Sequence, residues 1–208
     1  MKKTVRVSEL LNKQKVVPVV VIEDEEQASA MPQALLDGGV NVIEITLRHP
    51  FAIQAIELVK KNFPQMLVFA GTVTTSEDMR TVVDLGSDGI VSPGITERLA
   101  NTASELNIAY LPGVATGSDI LFAKEHGLNE LKLFPATVVG GVSALKAFNG
   151  PFGDVSFCPT GGVSATNYQE FLALPNVMCV GGSWLVPSNL ARTGDWEAIT
   201  HLCKAVSQ

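Results

Sequence analysis

An α/β protein that closes eight parallel strands into a (β/α)8 TIM barrel, with a short helix ahead of the first strand, is the fold class this sequence predicts. Eight short runs rich in β-branched residues recur with starts about 20 to 25 residues apart, each followed by turn-forming residues. The segments between them have the apolar spacing of amphipathic helices. The runs are almost continuously apolar, as strands of a helix-covered parallel sheet are, and eight such units is the number that closes on itself. An open doubly wound sheet is the alternative, but it usually has fewer units, and no GxGxxG follows the first run here.

Ahead of the first strand, Val7, Leu10 and Leu11 fall in register for a short helix over the barrel bottom. Strands are then expected at 16–22 (VVPVVVI), 41–48 (NVIEITLR), 66–72 (MLVFAGT), 88–94 (DGIVSPG), 108–114 (IAYLPGV), 130–136 (ELKLFPA), 155–161 (VSFCPTG) and 177–183 (VMCVGGS). After the first, Ala28, Met31, Leu35 and Leu36 approximate one helical face, and Gly38-Gly39 supplies a stop. Residues 75–86 repeat the pattern, with Thr75 or Ser76 as N-cap and Gly86 as stop, and residues 96–107 repeat it again. His49-Pro50 is expected to begin the next helix, with proline in its first turn. No linker or low-complexity segment interrupts the chain, so residues 1–208 are read as a single catalytic domain.

Composition narrows the function. A hydrophobic share of 46% and a positive mean hydropathy allow a sizeable core. The net charge is -6 and the basic residues form no run longer than Lys2-Lys3, which speaks against a nucleic-acid partner. VVPVVVI is far shorter than the roughly 20 residues of a spanning helix, so no membrane partner is expected. MKKTVRVSELLNK has no apolar central region and no cleavage site, and the expected setting is the cytoplasm. Cys158, Cys179 and Cys203 make no CxxC pair and suit free thiols in a reducing compartment, packed as core residues. His49, His126 and His201 lack ligand spacing, so a metal site is not expected.

The chemistry starts from ELKLFPA, which puts a lysine inside an apolar strand. An ammonium buried there is costly unless it is paired or gives up its proton. Strand parity points Leu131 and Leu133 at the helices and Lys132 with Phe134 at the barrel axis. In NVIEITLR the same rule turns Ile43, Ile45 and Leu47 outward and Glu44, Thr46 and Arg48 inward, so Glu44 and Lys132 should meet across the interior. A buried salt bridge without catalytic role is one reading. Both groups fall in the upper halves of their strands, however, and barrel active sites are built at the C-terminal ends. There, desolvation and a neighbouring cation favour a neutral amine that attacks a carbonyl, and an adjacent carboxylate moves the protons.

PTGGVS (159–164) and VGGSW (180–184) end the last two strands in glycine pairs. Glycines let backbone N–H groups approach an anion, and a following helix N-terminus would add its dipole. Loops after strands 7 and 8 are the usual phosphate site of such barrels. No Lys or Arg stands near these glycines in the sequence, which favours capture by backbone; tight βα turns are the other reading. Thr72, inward by parity, is a hydroxyl donor for a substrate carboxylate, and Pro93 of SPG is a candidate pocket wall or a simple turn. Trp184 and Trp196 read as packing residues.

VIEITLR, GTV, SPG, LPG, LKLFPA, FCPTGG and VGGSWLVP, in this order and spacing, closely resemble the KDPG aldolases (2-dehydro-3-deoxy-phosphogluconate aldolases), many of which also act on 4-hydroxy-2-oxoglutarate. The resemblance runs from about residue 16 to 187. It implies that Lys132 forms a Schiff base, that Glu44 is the general acid/base, and that Arg48, helped by Thr72 and Thr160, holds the pyruvate carboxylate. It places a phosphate on Gly161, Gly162, Gly182 and Ser183, with Pro93 and Phe134 lining the pocket. It further implies a homotrimer that takes a 2-keto acid phosphate and pyruvate as ligands and needs no cofactor or metal. LRHP and GVATGSD depart from the family's usual LRTE-like and GISTxSE segments. Both lie beside the pocket and bear on substrate preference. A metal-dependent aldolase, a phosphosugar isomerase or epimerase, and a non-catalytic metabolite sensor are the rival readings.

Overall fold

The computed structural model describes residues 5–207. In chain order the elements are α1 (Val7–Leu11), β1 (Val16–Val20), α2 (Glu25–Asp37), β2 (Val42–Thr46), α3 (Ala52–Asn62), β3 (Leu67–Gly71), α4 (Ser76–Asp84), β4 (Gly89–Val91), α5 (Glu97–Leu106), β5 (Ala109–Leu111), β6 (Gly113–Val114), α6 (Gly117–Glu125), β7 (Glu130–Leu133), α7 (Gly141–Asn149), β8 (Ser156–Pro159), α8 (Tyr168–Leu172), β9 (Val180–Gly182), α9 (Ser188–Thr193) and α10 (Trp196–Lys204). Every ladder is parallel, in the order β5-β4-β3-β2-β1-β9 and β6-β7-β8.

The two sheets form one ring. The run expected at 108–114 is interrupted at Pro112, which has no N–H for a ladder. Its carbonyl still accepts from Lys132 N at 2.8 Å, so β6 carries the line of β5 on to β7. On the other side the bridges Phe157↔Val177 and Thr160↔Gly181 join β8 to β9. The expected eight strands thus appear as nine segments around a closed (β/α)8 barrel.

The helices follow local chemistry. Thr75 and Thr96 cap α4 and α5 through their hydroxyls, and Thr116 with Asp119 forms a capping box on α6. On α2, Ala28, Met31 and Leu35 are fully buried against the barrel. Pro50 lies in a turn two residues ahead of α3 rather than inside its first turn, because the His49 ring accepts from Phe51 N and holds the chain there. At the bottom, α1 is pinned to the start of β7: Glu130 accepts from Arg6 Nε at 3.0 Å and from both the backbone and hydroxyl of Ser8. Among the described residues, no helix is long and apolar enough to cross a membrane.

Candidate active site

Parity works as expected on β2 and β7. Ile43, Ile45, Leu131 and Leu133 have no exposed surface, while Glu44 and Lys132 turn into the barrel and meet. Lys132 Nζ lies 3.1 Å from Glu44 Oε1 and 3.5 Å from Oε2, and the two residues are only 5% and 3% exposed. The ammonium position also lies 5.3 Å from the centre of the Phe134 ring, within cation–π reach. Glu44 pairs with Phe69 in register, and its carboxylate fits because β3 ends in Gly71, where a Cβ would come 2.4 Å from Oε1. Sequence reading passed over this glycine; the small residue at the end of GTV's strand was its only signal.

Thr46 links this pair to the mouth. Its hydroxyl donates to Val20 O at 2.8 Å and accepts from Arg48 Nε at 3.1 Å. That leaves the terminal nitrogens of the exposed Arg48 without a partner among the described residues, facing a cleft of about 440 Å³ that Ser183 also lines. Thr72 follows β3 with φ +58°, a left-handed conformation rare for threonine, so strand parity does not govern its side chain. Thr160 is buried and bonds weakly to Cys158 O at 3.4 Å; Gly181 makes room for it, since a Cβ there would lie 2.4 Å from its hydroxyl.

The glycine pairs are tightly held loops. Gly161 and Gly162 have φ of +95° and +79°, and Asn167 donates to Gly162 O at 3.0 Å. A side chain on Gly162 would meet Thr137, and one on Gly182 would meet the Trp184 ring. No helix starts directly after either pair, since α8 begins at Tyr168 and α9 at Ser188. Backbone N–H groups, rather than the dipole of a following helix, are therefore what these loops offer an anion. In space, Arg192 of α9 lines the same cleft as Ser183, although it is distant from the glycine pairs in the sequence.

Pro93 is exposed, and its carbonyl abuts Gly113, where a Cβ would lie 2.2 Å away. Its turn is anchored by Ser92, whose hydroxyl donates to Gly94 O at 2.6 Å and shares a hydrogen bond with Tyr110. Burial pushes the Tyr110 phenol up to about 12 against the pull of that bond. Cys158 stands beside Lys132 in register. Its hydrogen bond with Cys179, and to a lesser degree the charge of Lys132, hold its thiol below the ordinary value, while the same bond and burial push Cys179 up.

A buried amine against a carboxylate, at the C-terminal end of a parallel barrel and below an arginine-lined mouth, is suited to attack on a carbonyl with proton transfer beside it. Comparison with known proteins agrees. Residues 7–202 match the family described as KDPG and KHG aldolase. The 2-dehydro-3-deoxy-phosphogluconate aldolase of Dickeya dadantii is 47% identical over 189 residues, covering 91% of this chain and 89% of that one. The KDPG aldolase of Legionella pneumophila, solved with pyruvate captured at low pH as a covalent carbinolamine intermediate, superposes with a TM-score of 0.96 at 43% identity, over 99% of this chain and 100% of that one. The enzyme of Zymomonas mobilis ZM4 with 3-phosphoglycerate gives 0.91 at 40% identity, over 97% and 95%. The chain belongs to the KDPG and KHG aldolase family. It is a carbon–carbon lyase.

Proposed function

We propose that Lys132 is the Schiff-base lysine of a class I aldolase that cleaves 2-dehydro-3-deoxy-6-phosphogluconate to pyruvate and glyceraldehyde 3-phosphate, and 4-hydroxy-2-oxoglutarate to pyruvate and glyoxylate. The observation that carries this reading is the contact of 3.1 Å between Lys132 Nζ and Glu44 Oε1 inside the barrel. The neutral amine adds to the C2 carbonyl, and loss of water from the carbinolamine leaves an iminium. Glu44, through a bridging water, takes the C4 hydroxyl proton. The C3–C4 bond breaks, its electrons enter the iminium as an enamine, and the aldehyde departs. Glu44 then returns a proton to C3, and water hydrolyses the imine to free pyruvate and lysine. The imine is the electron sink, so the scheme uses no cofactor.

In this reading Arg48, Thr72 and Thr160 hold the carboxylate, Pro93 and Phe134 wall the pocket, and Gly161, Gly162, Gly182 and Ser183 take the phosphate. The whole chain acts as one catalytic domain in the cytoplasm, which suits its three buried free thiols. It assembles as a homotrimer, for which the exposed Val138 and Leu121 supply apolar surface. Incubation with pyruvate and borohydride should leave a reduced adduct on Lys132, mapped by mass spectrometry. Absence of that adduct, with activity retained in Lys132→Met, would sink the mechanism.

A further inference from the structure

The cleft beside the barrel mouth holds more donors than the reaction scheme uses. Arg48 and Arg192 both line it, and neither makes an ion pair among the described residues. Gln27 lines it too and is 94% buried by its 6% exposure. Its Oε1 accepts from Glu23 N at 3.1 Å, which fixes the amide orientation, and its Nε2 has no hydrogen-bond partner among the described residues. That nitrogen is not among the buried atoms left without a partner, so it keeps accessible surface at the cleft and can donate to an acceptor placed there. Ser183 and Asn189 add further donors, and Glu23 at the exposed rim is the one carboxylate in the lining. In a chain of net charge -6, this is a local concentration of positive charge and N–H groups.

Two guanidiniums in a cleft of about 440 Å³ match a ligand with two anionic ends. Arg48 is tied by Thr46 to the strand that carries Glu44, and so belongs to the keto-acid end. Arg192 lines the same cleft as Ser183, which follows the second glycine pair. We propose that Arg192 and Gln27 are specificity-determining residues that hold the terminal phosphate of a phosphorylated 2-keto acid across the cleft from Ser183. The inference rests on the aldolase reading for its substrate, but not for its chemistry: a dianionic phosphate gains more from an added guanidinium and amide than a single carboxylate does.

Arg192 is exposed, and Arg192→Gln should fold normally. Its kcat/KM for the phosphorylated substrate, divided by that for 4-hydroxy-2-oxoglutarate, should fall at least about tenfold, the effect of one charge-assisted contact. Inorganic phosphate, titrated into the protein and followed by phosphorus NMR line broadening, should bind the wild type and bind Arg192→Gln and Gln27→Leu more weakly. An unchanged ratio together with unchanged phosphate binding overturns the assignment. The two readings fail separately: a wild type that forms no borohydride adduct on Lys132 sinks the aldolase chemistry, while the phosphate titration still decides the roles of Arg192 and Gln27.

Discussion

Glu44 occupies the space that a side chain on Gly71 would need. A Cβ there would lie 2.4 Å from Oε1 and 2.7 Å from Cγ of the glutamate. Gly71→Ala must therefore push the carboxylate away from Lys132. Displacement of a reacting group by an ångström costs about 10²-fold in rate, and overpacking costs about 1–3 kcal/mol. Steady-state kinetics should show kcat falling by that order, and urea unfolding a modest loss of stability.

Thr46 positions Arg48 without reaching the reaction centre itself. Thr46→Val removes the acceptor of Arg48 Nε and leaves Val20 O without its donor. KM for the keto acid should rise roughly fivefold to tenfold while kcat changes less than about threefold. A matched fall in kcat would place Thr46 in the chemical step instead.

Gly162 combines a left-handed φ of +79° with a close approach to Thr137. Gly162→Ala carries about 1–2 kcal/mol of backbone strain and reshapes the loop proposed for the phosphate. The loss should fall mainly on KM for the phosphorylated substrate, read against 4-hydroxy-2-oxoglutarate in the same kinetics.

Burial pushes Cys203 up to about 12 from 9.0, and Tyr110 up to about 12 from 10.0. Both stay protonated in the folded chain at pH values where the unfolded chain releases its protons. Their contribution is therefore complete below about pH 9 and is lost as pH rises toward about 12. The urea midpoint should decline across that window, and Cys203→Ala should flatten its lower part.

Strand periodicity made the barrel legible, because Ile43, Ile45, Leu131 and Leu133 alternate with Glu44 and Lys132 in a way that only a two-faced strand satisfies. The same rule stopped where the backbone left the strand. Thr72 has a left-handed φ, and Pro112 divides a run that reads as continuous. Arg192 and Gln27 escaped notice for another reason: they come from α9 and α2, and what joins them is the shape of the closed ring. An unpaired amide nitrogen has no signature in a string of residues.

Seven seams of the ring are parallel ladders, whereas β8 and β9 are tied by two isolated bridges. A hoop is as stiff as its least-tied joint, and here the joint runs between the PTGG and VGGS ends. The amides that bond across it, Phe157 N to Asn176 O and Met178 N to Phe157 O, are expected to exchange with solvent before those of β2 and β3. A ligand gripping Gly162 and Ser183 together would act as a rivet across that joint, so the loosest part of the scaffold is the part its occupant stiffens.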